Sequence, residues 1–170
     1  MTTAKFTSAE WKELVNAPHW VYGALTAAER GNMLTRHSEA KALSKFLSSY
    51  ETNSALVKEI IARQEQADEK LEGSLEDAEK ALSQVGALLE RKLDYADGDA
   101  VRDFLMAAGE AVAEAAREGF RKAGVAVSPK EKETLAQVEK ALGATAADKR
   151  RRQDAAAAAV VEKHARERKE

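Results

Sequence analysis

An all-α fold follows from three features of this sequence. Ala, Leu, Glu and Lys dominate the composition, only two prolines occur in 170 residues, and large apolar residues recur at three- and four-residue steps. Ala, Leu, Glu and Lys lose little conformational freedom on entering a helix, so their abundance favours that state locally. Hydrophobic residues make up 44% of the chain, enough for a packed core without a covalent staple. The expected architecture is a bundle of about six to seven helices over residues 1–143. It includes one long charged helix, and a basic, Ala-rich helical extension protrudes over residues 144–170.

The first start signal is Thr7-Ser8-Ala9-Glu10, in which Thr7 caps and Glu10 reaches back. Trp11, Leu14 and Val15 then share a face. Asn16-Ala17-Pro18 is expected to end this short helix and open a second, because proline suits a first turn, where its missing N–H costs nothing. Trp20, Val21, Ala24, Leu25 and Ala28 carry the second helix to Gly31. Thr35 or Ser38 is the expected cap of a third, bearing Ala42, Leu43, Phe46 and Leu47.

Thr52-Asn53-Ser54 is a stop followed by a start. From Leu56 to Leu89 an apolar stripe runs through charged sequence (Ile60, Ala67, Leu71, Leu75, Ala78, Leu82, Val85), which predicts one long helix or two nearly collinear ones divided at Gly73. Asp94 to Asp99 reads as a loop with Asp99 as the next cap. Val101, Phe104, Leu105, Ala108, Val112, Ala115 and Phe120 mark a helix ending at Gly124, and Val125-Ala126-Val127 is a connector. Ser128-Pro129-Lys130-Glu131 is the strongest start signal, a capping box with proline at the first helical position. Leu135, Val138 and Leu142 face inward there, and Gly143 stops the helix.

Several chemistries are excluded or lack their residues. Without cysteine there are no disulfides, thiolate nucleophiles or thiolate metal sites. His19, His37 and His164 fall in neither Glu-x-x-His nor His-x-x-x-His spacing, the arrangements that place ligands on one helix face. Phosphate-binding glycine loops, the nucleophile elbow and dinucleotide fingerprints are absent. The reading is therefore of a protein that is not an enzyme and uses no cofactor. The acidic loop at Gly98 fails as a calcium loop, because its twelfth position is Phe104. The N-terminus lacks the apolar core of a signal peptide and no apolar run reaches the roughly 20 residues that span a bilayer, so a cytoplasmic location is expected.

Two groups of residues are candidates for binding. Lys149, Arg150, Arg151 and Arg152 form a compact positive cluster suited to another protein or a macromolecular assembly, and by its charge to nucleic acid or an anionic membrane surface. The tail carries no aromatic residue to stack a base and no bulky apolar face to enter a membrane. Trp11, Trp20, Tyr22 and Phe46 are candidates to line a pocket for a small molecule or lipid, or simply to fill the core. The stripe from Leu56 to Leu89 could also pair across a homodimer.

Phe6-Thr7-Ser8-Ala9-Glu10-Trp11, Ala17-Pro18-His19-Trp20-Val21 and Ala27-Ala28-Glu29-Arg30-Gly31 together resemble a bacterial family similar to tellurite-resistance TerB-like proteins. Leu88 to Leu93, Gly109 to Ala115 and Val127 to Lys132 add to the resemblance, which spans roughly Phe6 to Gly143. It implies a TerB-like bundle of two related halves with a stress-associated role. It also implies a cation held by an Ala-Asp-Gly segment and a later Glu in each half. Here the corresponding segments read Ala28-Glu29-Arg30-Gly31 with Glu39 beyond, and Ala116-Arg117-Glu118-Gly119 with Glu131 beyond. An arginine beside the ligand position repels a cation, so no metal is expected; Glu29 and Glu39 are the candidates that remain.

Overall fold

The computed structural model describes residues 6–28, 33–68, 71, 73–119 and 128–169. Among these residues the chain forms seven α-helices, one 3-10 turn and no strand. They are α1 (Ser8–Ala28), α2 (Met33–Ser49), α3 (Ala55–Ala62), α4 (Leu75–Lys92), α5 (Tyr95–Gly119), α6 (Pro129–Leu142) and α7 (Ala146–Glu167), with the 3-10 turn at Gln64–Gln66. No described helix is long and apolar enough to cross a membrane.

α1 is the central helix. Leu14, Val15, Asn16, Ala17 and Pro18 are consecutive and all buried, so this stretch is covered on every side. A surface helix buries only one stripe. The covering comes from α2 to α6, all of which contact α1. This enclosure explains why the expected break at Pro18 does not occur: a single helix runs through it. An interior proline costs one backbone hydrogen bond and a clash, and the packing around Leu14 to Pro18 outweighs it here. The Thr7–Glu10 capping box forms as read, with the Thr7 amide donating to Glu10 Oε2 at 2.8 Å and the Glu10 amide donating to Thr7 Oγ1 at 3.2 Å. These bonds, the Thr7 backbone contact foremost, hold the Glu10 carboxyl below its ordinary pKa.

Other boundaries shift for identifiable reasons. α2 already runs from Met33, so Thr35 and Ser38 lie inside it and not at its start. The long charged helix is broken. α3, capped by Ser54, ends at Ala62, and Ala67 turns to an extended conformation. The amide of Asp68 then donates to Asn16 Oδ1 on α1 at 2.9 Å. Ser74 and Asp77 form a fresh capping box that starts α4. The stripe is nevertheless used, since Leu56, Ile60, Leu82, Val85 and Leu89 all enter one core. Asp94, not Asp99, caps α5: its Oδ1 accepts from the Asp97 amide at 2.9 Å, and Tyr95 to Gly98 join the helix. Phe120, Gly124 and the connector Val125–Val127 lie outside the described residues.

α6 begins and ends as read. Ser128 and Glu131 complete the capping box, and Gly143 takes φ 67°, ψ 30°, a left-handed conformation natural to glycine. α4 and α6 approach closely at Gly86, where an added Cβ would lie 2.8 Å from the Ala141 carbonyl oxygen. This contact sets the α6 C-terminus beside the end of α4 and the start of α5, where α7 attaches.

Candidate functional site

α7 meets the bundle chiefly at α5, and Arg152 is its one buried residue among those described. Arg152 Nε and Nη2 donate to Asp99 Oδ1 at 3.0 and 2.6 Å. Its Nη1 donates to the Gly143 carbonyl at 2.6 Å and to Glu90 Oε1 at 3.4 Å. A second arginine lies beside it. Arg102, on α5, is 2% exposed and donates to the Leu142 carbonyl at 2.7 Å, to Glu90 at 2.8 Å and to Asp99 at 3.3 Å. Gly98 leaves room for it, since an added Cβ would meet Arg102 Nη1 at 2.9 Å.

The clamp has a clear physical logic. The last carbonyls of a helix have no intrahelical donor and carry partial negative charge. Leu142 and Gly143 place two such oxygens at the end of α6, and two guanidinium groups satisfy them. Two buried like charges would repel, and Asp99 and Glu90 offset this. Burial, then the Arg152 charge, push the Arg102 pKa below the ordinary arginine value, while Glu90 and Asp99 oppose the shift. Among the described residues no buried side-chain nitrogen or oxygen lacks a partner. The clamp thus ties α4, α5, α6 and α7 at one point. A recess of about 460 Å³ beside it mixes Glu90 and Asp148 with Arg102, Lys140 and Arg151, so it has no single sign of charge.

The basic run is consequently divided by the helix. Arg152 turns into the body. Lys149 stands 3.9 Å from Asp103, Arg151 pairs with Asp148, and Arg150 is exposed. Beyond the clamp α7 is open to solvent: every residue from Ala157 to Glu167 is exposed. Val160 and Val161 are 54% and 69% exposed and, with Tyr95, are the large hydrophobic residues left open among those described.

The four aromatic candidates do not converge. Trp11 is buried, edge-on to Phe6 at 5.3 Å between ring centroids, with the Arg63 guanidinium 4.2 Å from its own ring centroid. Trp20 packs near Gly73. Phe46 stacks on Phe104 at 5.8 Å and meets Tyr50 at 5.0 Å. Only Tyr22 lines a groove of about 800 Å³ between α1, α2 and α3. Leu43, Leu47, Ile61 and Leu71 make its apolar wall, and His19 and Gln64 make a polar pair at 3.2 Å. Of the candidate cation ligands, Glu39 is buried on α2, and Glu29 lies outside the described residues. Among the described residues no three His, Asp or Glu side chains are grouped to hold a metal ion.

Sequence reasoning missed Arg102, Glu90 and Asp99 as partners of the basic run. One local signal existed: Arg102 sits on the same α5 face as Val101, Leu105 and Ala108, where a charge demands a buried counter-charge. Comparison with protein-family models, with curated proteins and with solved structures finds no match to this chain.

Proposed function

We propose that this is a non-enzymatic interaction or scaffold protein, in which a TerB-like bacterial, cytoplasmic body mounts α7 for recognition by a partner macromolecule. The observation that carries the reading is the contrast along α7. Its base is fixed by a fully paired buried arginine, and its outer half, residues 157–167, is exposed throughout. A helix with so little to bury draws almost no stability from packing, whereas a partner can supply it. Affinity enrichment from the host with the full chain and with a version ending at Gly143 tests this. The expected result is a partner captured by the full chain and lost on truncation, with the melting of the body checked in parallel. Identical partner sets for both versions would overturn it.

The groove favours a second reading, binding of a small apolar or lipid-like molecule. About 800 Å³ with an apolar wall and a His19–Gln64 polar pair matches the general form of ligand sites. A fatty acid that raises the melting temperature of the native protein, and fails to do so with Leu47→Trp, would support it. Equal responses of both proteins would remove it.

A further inference from the structure

We infer that the outer face of α7 formed by Ala156, Ala157, Val160 and Val161 docks an acidic amphipathic helix of another protein. The inference rests on the reading of α7 as the recognition element and names the class of its partner.

The helical repeat defines the face. Lys149, Gln153, Ala156, Val160, His164 and Glu167 follow one another at steps of three or four, and so lie along one side. Arg150, Ala157, Val161 and Arg168 form the adjoining row at steps of four or seven. The centre of this strip is thus alanine and valine, with Lys149 and Arg150 at its inner end and Arg168 beside Glu167 at its outer end. Asp148 and Glu162 fall on the opposite side of the helix, and Asp154 falls at the margin. Residues 144–170 as a whole hold eight Lys or Arg against five Asp or Glu, whereas residues 1–143 hold nineteen against twenty-four.

Shape and charge together select the occupant. Alanine at the centre lets another backbone come close, and helices pack about 8–10 Å apart according to the side chains between them. Side chains this small fill little of the seam, so the partner must bring the large apolar residues. The two cations at the inner end, Lys149 and Arg150, call for carboxylates beside that apolar stripe. A second copy of α7 fits poorly, because it also brings only alanine and valine and sets Lys149, Arg150 and Arg168 near their own kind. Nucleic acid fits poorly as well: acidic residues are interspersed through the tail and no aromatic lies in it. A membrane surface calls for bulkier apolar side chains than two valines.

The test is a photoreactive residue at Ala157 of the full chain, expressed in the host, with each crosslinked species identified by mass. The expected species is a helical segment of another protein with large apolar residues at helical spacing and flanking Asp or Glu. Yield should fall at least about tenfold in Val160→Glu/Val161→Glu, and similarly in Lys149→Glu/Arg150→Glu/Arg168→Glu. Because Val160 and Val161 are exposed, their double variant should melt with the parent, which separates lost docking from lost folding. Crosslinks to this chain's own tail, to nucleic acid, to lipid or to a segment lacking that pattern overturn the inference while leaving α7 as a recognition element. Absence of any crosslink, with enrichment indifferent to truncation at Gly143, overturns both.

Discussion

The two halves of α7 use the same few residue types and reach opposite states. From Ala146 to Gln153 the helix is tied down by a single arginine, whereas from Ala157 to Glu167 a similar mixture of Ala, Lys, Arg and Glu stands in solvent. The difference lies in what faces each half. Arg152 meets two carboxylates and a helix-terminal carbonyl, while the outer residues are exposed to solvent. A charged side chain docks a helix only where buried counter-charges await it, and an alanine-rich stretch has no apolar mass with which to dock itself.

The largest expected effect breaks the docked half at its foundation. Arg102→Met leaves Asp99, Glu90 and the Leu142 carbonyl without a nearly fully buried donor. Removing one partner of such a buried set costs about 3–5 kcal/mol. Thermal melting should fall by about 10 °C for a domain of this size. Arg152→Gln should cost less, about 2 kcal/mol, because it frees α7 and the Gly143 carbonyl without opening the junction of α4, α5 and α6. Its distinctive effect is to release α7, which limited proteolysis would detect as new cleavage between Ala144 and Ala156. Cleavage confined to residues beyond Ala157 in both proteins would mean that Arg152 does not hold the helix.

A substitution in the outer half sharpens the contrast. Ala157→Gly costs about 1 kcal/mol of local helix stability. It should lower the helical signal in circular dichroism yet leave the cooperative melting temperature unchanged, because that half contributes nothing to the bundle core. A drop of several degrees would show that the outer half is coupled to the core.

The smallest effect is on pH. Hydrogen bonds from Thr145 and then Arg151 hold the Asp148 carboxyl below its ordinary pKa. A carboxyl depressed in the folded state binds protons more readily when unfolded. Its stabilisation of the α7 start is therefore complete at neutral pH, declines once pH falls below the ordinary carboxylate value, and is lost through the depressed folded value. Backbone and side-chain bonds from Thr7 and Ser74 have the same sign for Glu10 and Asp77 at the starts of α1 and α4. Acid titration of the Asp148 side-chain carbon signal by NMR should place its midpoint below the ordinary carboxylate value of the unfolded chain. A midpoint at or above that ordinary value would contradict the capping account.

Local signals were the legible ones. Thr7–Glu10, Ser54, Ser128–Glu131 and Gly143 act through residues within four positions, and each boundary stands where its signal lies. The continuity of α1 through Pro18, the choice of two helices over one along the Leu56–Leu89 stripe, and the role of Asp99 are decided across the fold. Enclosure of α1 outweighs the proline penalty. Asn16 captures the Asp68 amide after α3 ends, and Asp94 takes the cap that leaves Asp99 for two arginines. The candidate site divided along the same line. Protrusion of the tail was legible from its lack of large apolar residues, but the burial of Arg152 depends on Glu90 and Asp99, which lie more than fifty positions away.

The most direct test of a fixed base and an unsupported outer half is amide hydrogen exchange resolved along α7. Protection from Lys149 to Ala156 should approach that of the bundle, fall sharply from Ala157 onward, and in Arg152→Gln drop throughout to the level of the outer half. Uniform protection along all of α7, or a base whose protection survives Arg152→Gln, would contradict the account.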